Sequence, residues 1–247
     1  MGSSLSYSID GDDFQLVQVR LQPGEAVRAE PGSFMWMETG IEMDTTTGGG
    51  LMSGLKRAIG GESFFITTFT NQGRDSATVG FAAPYPGKIL AADLARGTIL
   101  CQRDSYLCST VDAQISVAFT RRLGAGFFGG EGFILQKITG TGTAFLHASG
   151  SILERELSAA EELRVDTGCL VAFEERVDYD IRLIRGIKSM LFGGEGFFYA
   201  LLRGPGKVWL QTTPFARLAS RVVRAAGGSR EEKRRGGNLL GTILEGD

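Results

Sequence analysis

A hexapeptide recurs within the chain at the spacing of one small domain, and this recurrence constrains the fold more than any other feature. Residues 128–133, Phe-Gly-Gly-Glu-Gly-Phe, recur 64 residues later as residues 192–197. An upstream copy at residues 59–65 keeps Gly-Gly-Glu and then has Ser63 in place of the next glycine. Self-similarity at such a period indicates repeated structural units. The sequence therefore predicts three tandem copies of one unit.

Each predicted repeat contains short apolar runs that end near glycines. The runs are residues 64–69, 133–138 and 197–202. Their length and composition are typical of strands of about five or six residues. Gly-Thr-Gly at residues 140–142 and Gly-Pro-Gly at residues 204–206 carry turn chemistry. We predict that each turn closes a hairpin with the strand that follows it, residues 143–148 and 207–212.

Glycine is abundant and proline is scarce, with 36 and 6 residues in the chain. Glycine at this density marks tight turns and bulges between many short strands, and helical periodicity is almost absent before residue 214. We predict an all-β fold of three tandem β-sandwich-like repeats, residues 1–84, 85–149 and 150–213, around a pseudo-threefold axis. A linear array is the alternative, and it would leave exposed strand edges.

The composition changes after Thr213. Pro214 stands at a helix start, apolar residues follow at positions 215, 218, 222 and 223, and three arginines lie beside them. This spacing predicts a short amphipathic, basic helix. Residues 214–247 are predicted to hold this helix and a mobile, glycine-rich tail. We expect the apolar face of the helix to pack on the β core.

One carboxylate recurs at the same place in all three predicted repeats. The glutamates are Glu62, Glu131 and Glu195, and the glycine pairs before them are Gly60 with Gly61, Gly129 with Gly130, and Gly193 with Gly194. Around a threefold axis, these oxygens could converge and hold calcium or magnesium. The alternative is that each glutamate accepts backbone N–H bonds within its own turn, which would also explain the recurrence. The structural role is favoured, so no metal or cofactor is predicted.

The remaining residues form no recognisable catalytic group. The single histidine, His147, cannot assemble a metal site with ordinary ligand spacing, and it is expected at the surface or on an edge strand. No serine or cysteine has an activating base close by in sequence, and the common nucleotide, metalloprotease and nucleophile-elbow motifs are absent. We predict no catalytic residues and a chain that is not an enzyme.

Charge and cysteine usage bear on compartment and partners. The net charge is −2, so no overall field attracts nucleic acid or anionic lipid. Three irregularly spaced cysteines indicate a reduced compartment. The first residues lack a signal-peptide pattern, and no run reaches the ~18 apolar residues of a membrane span. A cytoplasmic location is expected.

Longer stretches resemble one known family. In the first repeat they are LQPGE (21–25), AEPG (29–32), GLKR (54–57) and GESFF (61–65). In the third they are RVDTG (164–168), VDYD (177–180), GIKS (186–189), LFGGEG (191–196) and GPGKVWLQ (204–211). From about residue 7 to about residue 214, the chain resembles the bacterial branch of the mitochondrial-biogenesis family named for altered inheritance of mitochondria.

This resemblance implies a fold similar to the tryptophan RNA-binding attenuation protein, whose β-sandwich units form rings. It also links the fungal mitochondrial members to organisation of the inner membrane, and it implies no activity and no catalytic residues. The charged stretch at residues 229–235 departs from the glycine-rich ending of the family.

The sequence favours a non-enzymatic scaffold or binding module that forms a homo-oligomer and has an unknown protein partner. RNA or other nucleic-acid binding is an alternative by fold analogy, although the strands lack a basic and aromatic stripe. Peripheral membrane association through the C-terminal helix is another alternative. An enzyme with an unfamiliar site around the three glutamates is the remaining hypothesis.

Overall fold

The computed structural model describes residues 5–44, 66–121, 133–183, 198–223 and 225. The strands of this part are β1 Ser6–Asp10, β2 Leu16–Leu21, β3 Ala26–Ala29, β4 Phe34–Met37, β5 Ile41–Asp44, β6 Thr67–Asn71, β7 Ala77–Ala82, β8 Gly87–Asp93, β9 Ile99–Gln102, β10 Tyr106–Thr110, β11 Gln114–Arg121, β12 Phe133–Thr139, β13 Thr143–Ser149, β14 Ile152–Leu157, β15 Glu162–Asp166, β16 Leu170–Glu174, β17 Asp178–Leu183, β18 Phe198–Arg203 and β19 Gly206–Gln211. A short helix, α1, covers residues 215–223 and 225. The prediction of an all-β fold with a short C-terminal helix is confirmed.

The strands form four antiparallel sheets. Sheet I has the order β1-β2-β7-β4, sheet II β5-β6-β3-β10-β13-β8, sheet III β11-β12-β9-β16-β19-β14, and sheet IV β15-β18-β17. Sheets II and III each contain strands from both sides of a predicted repeat boundary, because β3 pairs with β10 and β9 pairs with β16. The boundaries at residues 84 and 149 stay predictions.

In the described part of the chain, three apolar cores join the four sheets in succession. The first lies between sheets I and II and includes Phe81 and Phe145. The second lies between sheets II and III and includes Leu146. The third, around Phe133 and Phe173, lies between sheets III and IV. Burying a side chain of this size contributes roughly 1.5–3 kcal/mol, so burial on both faces of sheets II and III holds the stack together.

The predicted hairpins at residues 140–142 and 204–206 are wrong. Strand β12 lies in sheet III and β13 in sheet II, while β18 lies in sheet IV and β19 in sheet III. Neighbours β11 and β9 occupy both edges of β12, so β13 has no free edge there to pair with. The turn chemistry itself is present, since Gly140 and Gly142 have φ of 111° and 89°. Each turn carries the chain from one sheet to the next instead of reversing it within a sheet.

The expectation that His147 lies at the surface or on an edge strand is also wrong. Strand β13 pairs with β8 on one side and with β10 on the other, so it is an interior strand. His147 is only 2% exposed. The linker between β7 and β8 covers it, because the ring of Tyr85 meets the imidazole edge-on with 4.8 Å between centroids.

Several predicted positions lie outside the described residues. They are Gly60, Gly61, Glu62, Gly129, Gly130, Glu131, Gly193, Gly194 and Glu195. The metal-ring and turn-stabilising roles of the glutamates therefore both stay predictions. In the part that the structure describes, no group of three or more His, Cys, Asp or Glu side chains is arranged to hold a metal ion. No helix among these residues has the length and apolar character needed to cross a membrane.

Candidate functional site

A cleft of about 1210 Å³ is lined by residues of sheets II and III. One wall is the end of β8 with the segment that leads into β9, and the opposite wall comes from β14, β16 and β19. Tyr7 of β1 adds an aromatic side chain from sheet I. A concave site of this size is the kind in which proteins bind ligands.

Backbone hydrogen bonds hold the β8 side of the cleft in place. The carboxylate of Asp93 accepts a 3.0 Å bond from the amide of Ala95 and so caps the 3-10 turn Leu94–Arg96. The amide of Leu94 donates to the carbonyl of Gly142 at 2.9 Å, which ties this turn to the β12–β13 connection. Leu94 is buried, and its packing in the interior holds this side of the cleft in place. A rim held this way is preorganised for binding.

Strands β14 and β19 present a three-residue polar group to the cleft. The carboxylate of Glu154 forms an ion pair with Lys207 and accepts a 2.8 Å hydrogen bond from the indole Nε1 of Trp209. Both donors favour the charged carboxylate, the lysine most strongly, so they lower the pKa of Glu154. The contact with Glu154 likewise raises the pKa of Lys207. Both groups are therefore charged at neutral pH.

The end of β16 adds a second set of ion pairs. Glu174 accepts a 2.6 Å bond from Nε of Arg176 and a 3.1 Å bond from the backbone amide of Lys207. Glu175 forms an ion pair with Lys137, and the hydrogen bond from that lysine lowers the pKa of the carboxyl group. These groups are largely open to water, so each pair contributes only about 0–1 kcal/mol to stability. Their effect is to place fixed, opposite charges around the cleft.

The cleft is consequently nearly charge-balanced, with four acidic and three basic side chains in its lining. A general acid or base works best with a pKa near the working pH, and Glu154 and Glu175 are shifted away from neutrality. Apolar surface comes from Leu90, Ile99 and Trp209. The arrangement can recognise a ligand that offers both hydrogen-bond donors and acceptors beside an apolar part.

A second cluster surrounds His147 under helix α1. The Nδ1 atom of His147 is buried and has no hydrogen-bond partner among the described residues. Burial lowers the pKa of His147 to about 4, so the imidazole is neutral. Phe215 of α1 stacks on Tyr85, with 4.7 Å between ring centroids, and Tyr85 in turn covers the histidine. The cluster is a packed seam between the helix and sheet II.

Glu30 lies near this seam and titrates abnormally. Burial of its carboxyl group and the charge of Asp104 raise the pKa of Glu30 to about 7, against the opposing charge of Arg103. The residue still exposes part of its surface to water. The hydroxyl of Tyr85 donates to the backbone carbonyl of Asp104 at 3.1 Å, which fixes the tyrosine beside these carboxyl groups.

Helix α1 is docked at its first turn, but most of its apolar face is exposed. Arg217 forms an ion pair with Asp166, the last residue of β15. Leu218, Val222 and Val223 are 39%, 61% and 70% exposed. The expectation that the apolar face packs on the β core is therefore wrong for these residues. Phe215 makes a ring contact with the body of the protein.

The residues of the cleft were not singled out by the sequence. Trp209 and Lys207 lie within the family-like stretch 204–211, and the charged residues of β14 (154–156) and Lys207 of β19 indicate strands that are partly exposed. This signal places their charged residues on an accessible face. It carries no information on which strands share that face, because β14 and β19 are about 50 residues apart in the chain.

A family profile described as "Mitochondrial biogenesis AIM24" matches residues 7–213. An uncharacterized protein of Streptococcus pyogenes serotype M6 is 27% identical over 230 residues, covering 89% of this chain and 90% of the relative. The crystal structure of a Streptococcus pyogenes protein, determined by a structural genomics consortium, has a TM-score of 0.72 and 25% identity. That likeness covers 90% of this chain and 99% of the streptococcal chain. None of these matches carries a specific activity.

Proposed function

Because this chain belongs to the Mitochondrial biogenesis AIM24 family, whose matched relatives bring no assigned activity, we propose that it is a non-enzymatic, homo-oligomeric scaffold with a ligand-binding cleft. The cleft between sheets II and III carries this proposal. Its carboxylates are held as charged partners of basic groups, as shown by the paired Glu154 and Glu175. Such groups position a ligand, whereas proton transfer needs a group that changes its charge near neutral pH.

The scaffold part of the proposal includes the tandem arrangement of residues 1–84, 85–149 and 150–213 around a pseudo-threefold axis. Two cross-boundary strand pairs, β3 with β10 and β9 with β16, support it. A bulge at the same place in the pairs β4–β7, β10–β13 and β16–β19 is a second support. Units joined by shared sheets form one stiff body, which suits a scaffold.

Native mass spectrometry of the gently purified full chain tests the proposal, since one spectrum reports subunit number and retained ligand. We expect an oligomer with a bound small molecule. A variant that fills the cleft, Thr143→Tyr, should lose the bound mass, whereas the matched control Thr70→Tyr, on β6 outside the cleft, should keep it. A bare monomer would contradict the proposal. If both variants retain the ligand, the ligand binds outside the cleft.

Peripheral membrane binding through α1 is a second candidate, favoured by the exposed side chains Leu218, Val222 and Val223. They lie beside Arg221, which is also exposed. An apolar stripe flanked by arginines can lie in a lipid interface, with anionic headgroups near the basic side chains. The Arg217–Asp166 ion pair would hold such a helix against the body of the protein.

Co-sedimentation with vesicles of phosphatidylcholine and phosphatidylglycerol tests this second candidate. Val222→Glu should reduce pelleting several-fold, because it puts a charge into the apolar stripe. The matched control Ser220→Glu adds the same charge to the same helix away from that stripe. Equal pelleting of the two variants would remove α1 from membrane binding.

Binding of RNA follows from the implied likeness to the tryptophan RNA-binding attenuation protein, and this likeness stays part of the proposal only as an analogy. Single-stranded nucleic acid is bound by positively charged grooves with stacking aromatic side chains. The cleft has more acidic than basic residues in its lining. The observed charges therefore favour a ligand other than nucleic acid.

A further inference from the structure

Sheets I and IV have the connectivity of the two halves of a longer sheet such as sheet II or sheet III. In sheets II and III, a group of three strands ending in β3 or β9 meets a group of three ending in β10 or β16. Sheet IV, β17-β18-β15, has the connectivity of the first group. Sheet I, β2-β7-β4 with β1 added, has the connectivity of the second group. Among the described residues, sheet IV therefore ends at β15 and sheet I ends at β4, and each is without the neighbour that the other could supply.

Strand β4 is exposed where its counterparts are buried. All five residues of β10 are buried, and so are four of the five in β16. In β4, Phe34, Met35 and Met37 are 38%, 58% and 38% exposed. In the described structure β3 pairs with β10 and β9 pairs with β16, while β4 pairs only with β7.

The sequence of β4 is also unusual for a strand that remains at an edge. It is Phe-Met-Trp-Met, without a charge or a proline. Proteins protect free edges with charged residues, and β8, β14 and β17 at other edges of these sheets follow that rule. An uncharged, apolar edge is a template for pairing with another strand.

The existing pairs give the register of the missing one. Ala29 of β3 lies opposite Cys108 of β10, and Cys101 of β9 lies opposite Ala172 of β16. In both cases the residue on β10 or β16, Cys108 or Ala172, directly follows the bulge in that strand. Strand β4 has a bulge at the same position relative to β7.

We propose that β15 of a second copy of this chain pairs with β4 and joins sheets IV and I into a seven-stranded sheet across the interface. This pairing rests on the proposed function, since it supplies the contact of the homo-oligomer. The register places Val165 opposite Trp36 and Arg164 opposite Met37. We assign the strand that pairs with β4 to a second copy because a copy supplies a strand of matching connectivity and register. In the described chain β15 pairs only with β18, so its other edge is available.

The contact is heterologous, because each copy offers β4 to one neighbour and β15 to another. Such contacts close into rings when the rotation between copies permits and otherwise continue as filaments. The interface continues the antiparallel hydrogen bonding already present in sheets II and III and covers the exposed methionines of β4.

Disulfide trapping between two tagged chains tests the pairing. Both chains carry Cys169→Ser, since this cysteine is only half-buried, whereas Cys101 and Cys108 are buried. One chain also carries Met37→Cys and the other Arg164→Cys, and the two are co-expressed and mildly oxidised. We expect a cross-linked species that contains both tags. The matched control replaces Met37→Cys with Ser8→Cys, on β1 at the far edge of sheet I, and should give no cross-link.

Three outcomes would overturn the pairing, and native mass separates them. If the double variant M37C/R164C forms its disulfide within a single chain, β15 closes on β4 of its own molecule. If the chain is an oligomer without the cross-link, the copies meet through another surface and the proposed function survives. If the chain is a monomer, the pairing and the oligomeric scaffold fail together.

Discussion

The indole of Trp36 lies over Gly80 on the neighbouring strand, so closely that a Cβ atom at Gly80 would be 2.3 Å from the indole Nε1. The two residues are cross-strand partners just after the bulge in β4. At the same place in the other two such strand pairs, one partner is again bulky and the other small. The three pairs are Trp36 with Gly80, Phe145 with Cys108, and Trp209 with Ala172. Each of the three pairs therefore combines one large and one small residue directly after the bulge.

Gly80→Val should destabilise the protein, because the added side chain would overlap Trp36. Overpacking of this kind costs about 1–3 kcal/mol, which urea unfolding followed by circular dichroism can measure. The double variant Trp36→Cys with Gly80→Phe copies the pair formed by Cys108 and Phe145, and it should recover part of the loss. If the double variant is less stable than Gly80→Val, complementary size of residues 36 and 80 does not explain the stability of this strand pair.

Gly142→Ala should cost more stability than Gly24→Ala. Both glycines have a positive φ, 89° and 83°, so both substitutions carry a similar backbone strain of about 1–3 kcal/mol. A Cβ at Gly142 would also lie 2.4 Å from Oγ1 of Thr110, whereas a Cβ at Gly24 meets nothing within 4 Å. Unfolding midpoints of the two variants isolate the packing contribution. Equal midpoints would show that Thr110 moves aside freely.

His147→Gln should reduce the loss of stability in acid. Burial lowers the pKa of His147 to about 4 in the folded state, so the unfolded chain binds the extra proton first, below its own pKa of about 6.5. Stability is full above pH 6.5 and falls as pH drops toward 4, by up to about 3 kcal/mol at 1.36 kcal/mol per unit. Urea unfolding at pH 7 and pH 4.5 measures the slope. An unchanged slope in the variant would show that His147 is protonated without unfolding.

Glu30→Gln should act in the opposite direction. The folded pKa of Glu30 is raised to about 7 from 4.5, so the folded state holds a proton that the unfolded chain has already lost. This contribution is present below pH 4.5 and disappears as pH rises through 7. The variant should therefore gain stability relative to the wild type at pH 8 and not at pH 4.5. Thermal unfolding at both pH values provides the comparison, and a loss at pH 8 would contradict the assignment.

Local patterns in the sequence were sufficient to identify several of the strands and the helix. The predicted strands at residues 133–138 and 143–148 correspond to β12 and β13, and the helix begins directly after Pro214 as predicted. These properties depend on neighbours within a few residues, such as alternating side chains, glycine turns and a proline at a helix start. The sequence also identified the family, because its motifs are contiguous.

The tertiary structure alone decided which strands share a sheet. The turn at Gly140 and Gly142 has the same local chemistry in a hairpin and in a crossing between sheets, so only the occupied edges of β12 exclude the hairpin. The burial of His147 and the assembly of the cleft around Glu154 and Trp209 depend on segments distant in the chain for the same reason. Which strands pair depends on burial against distant segments and on which strand edges remain open to hydrogen bonding. Neither property can be predicted from a local sequence pattern.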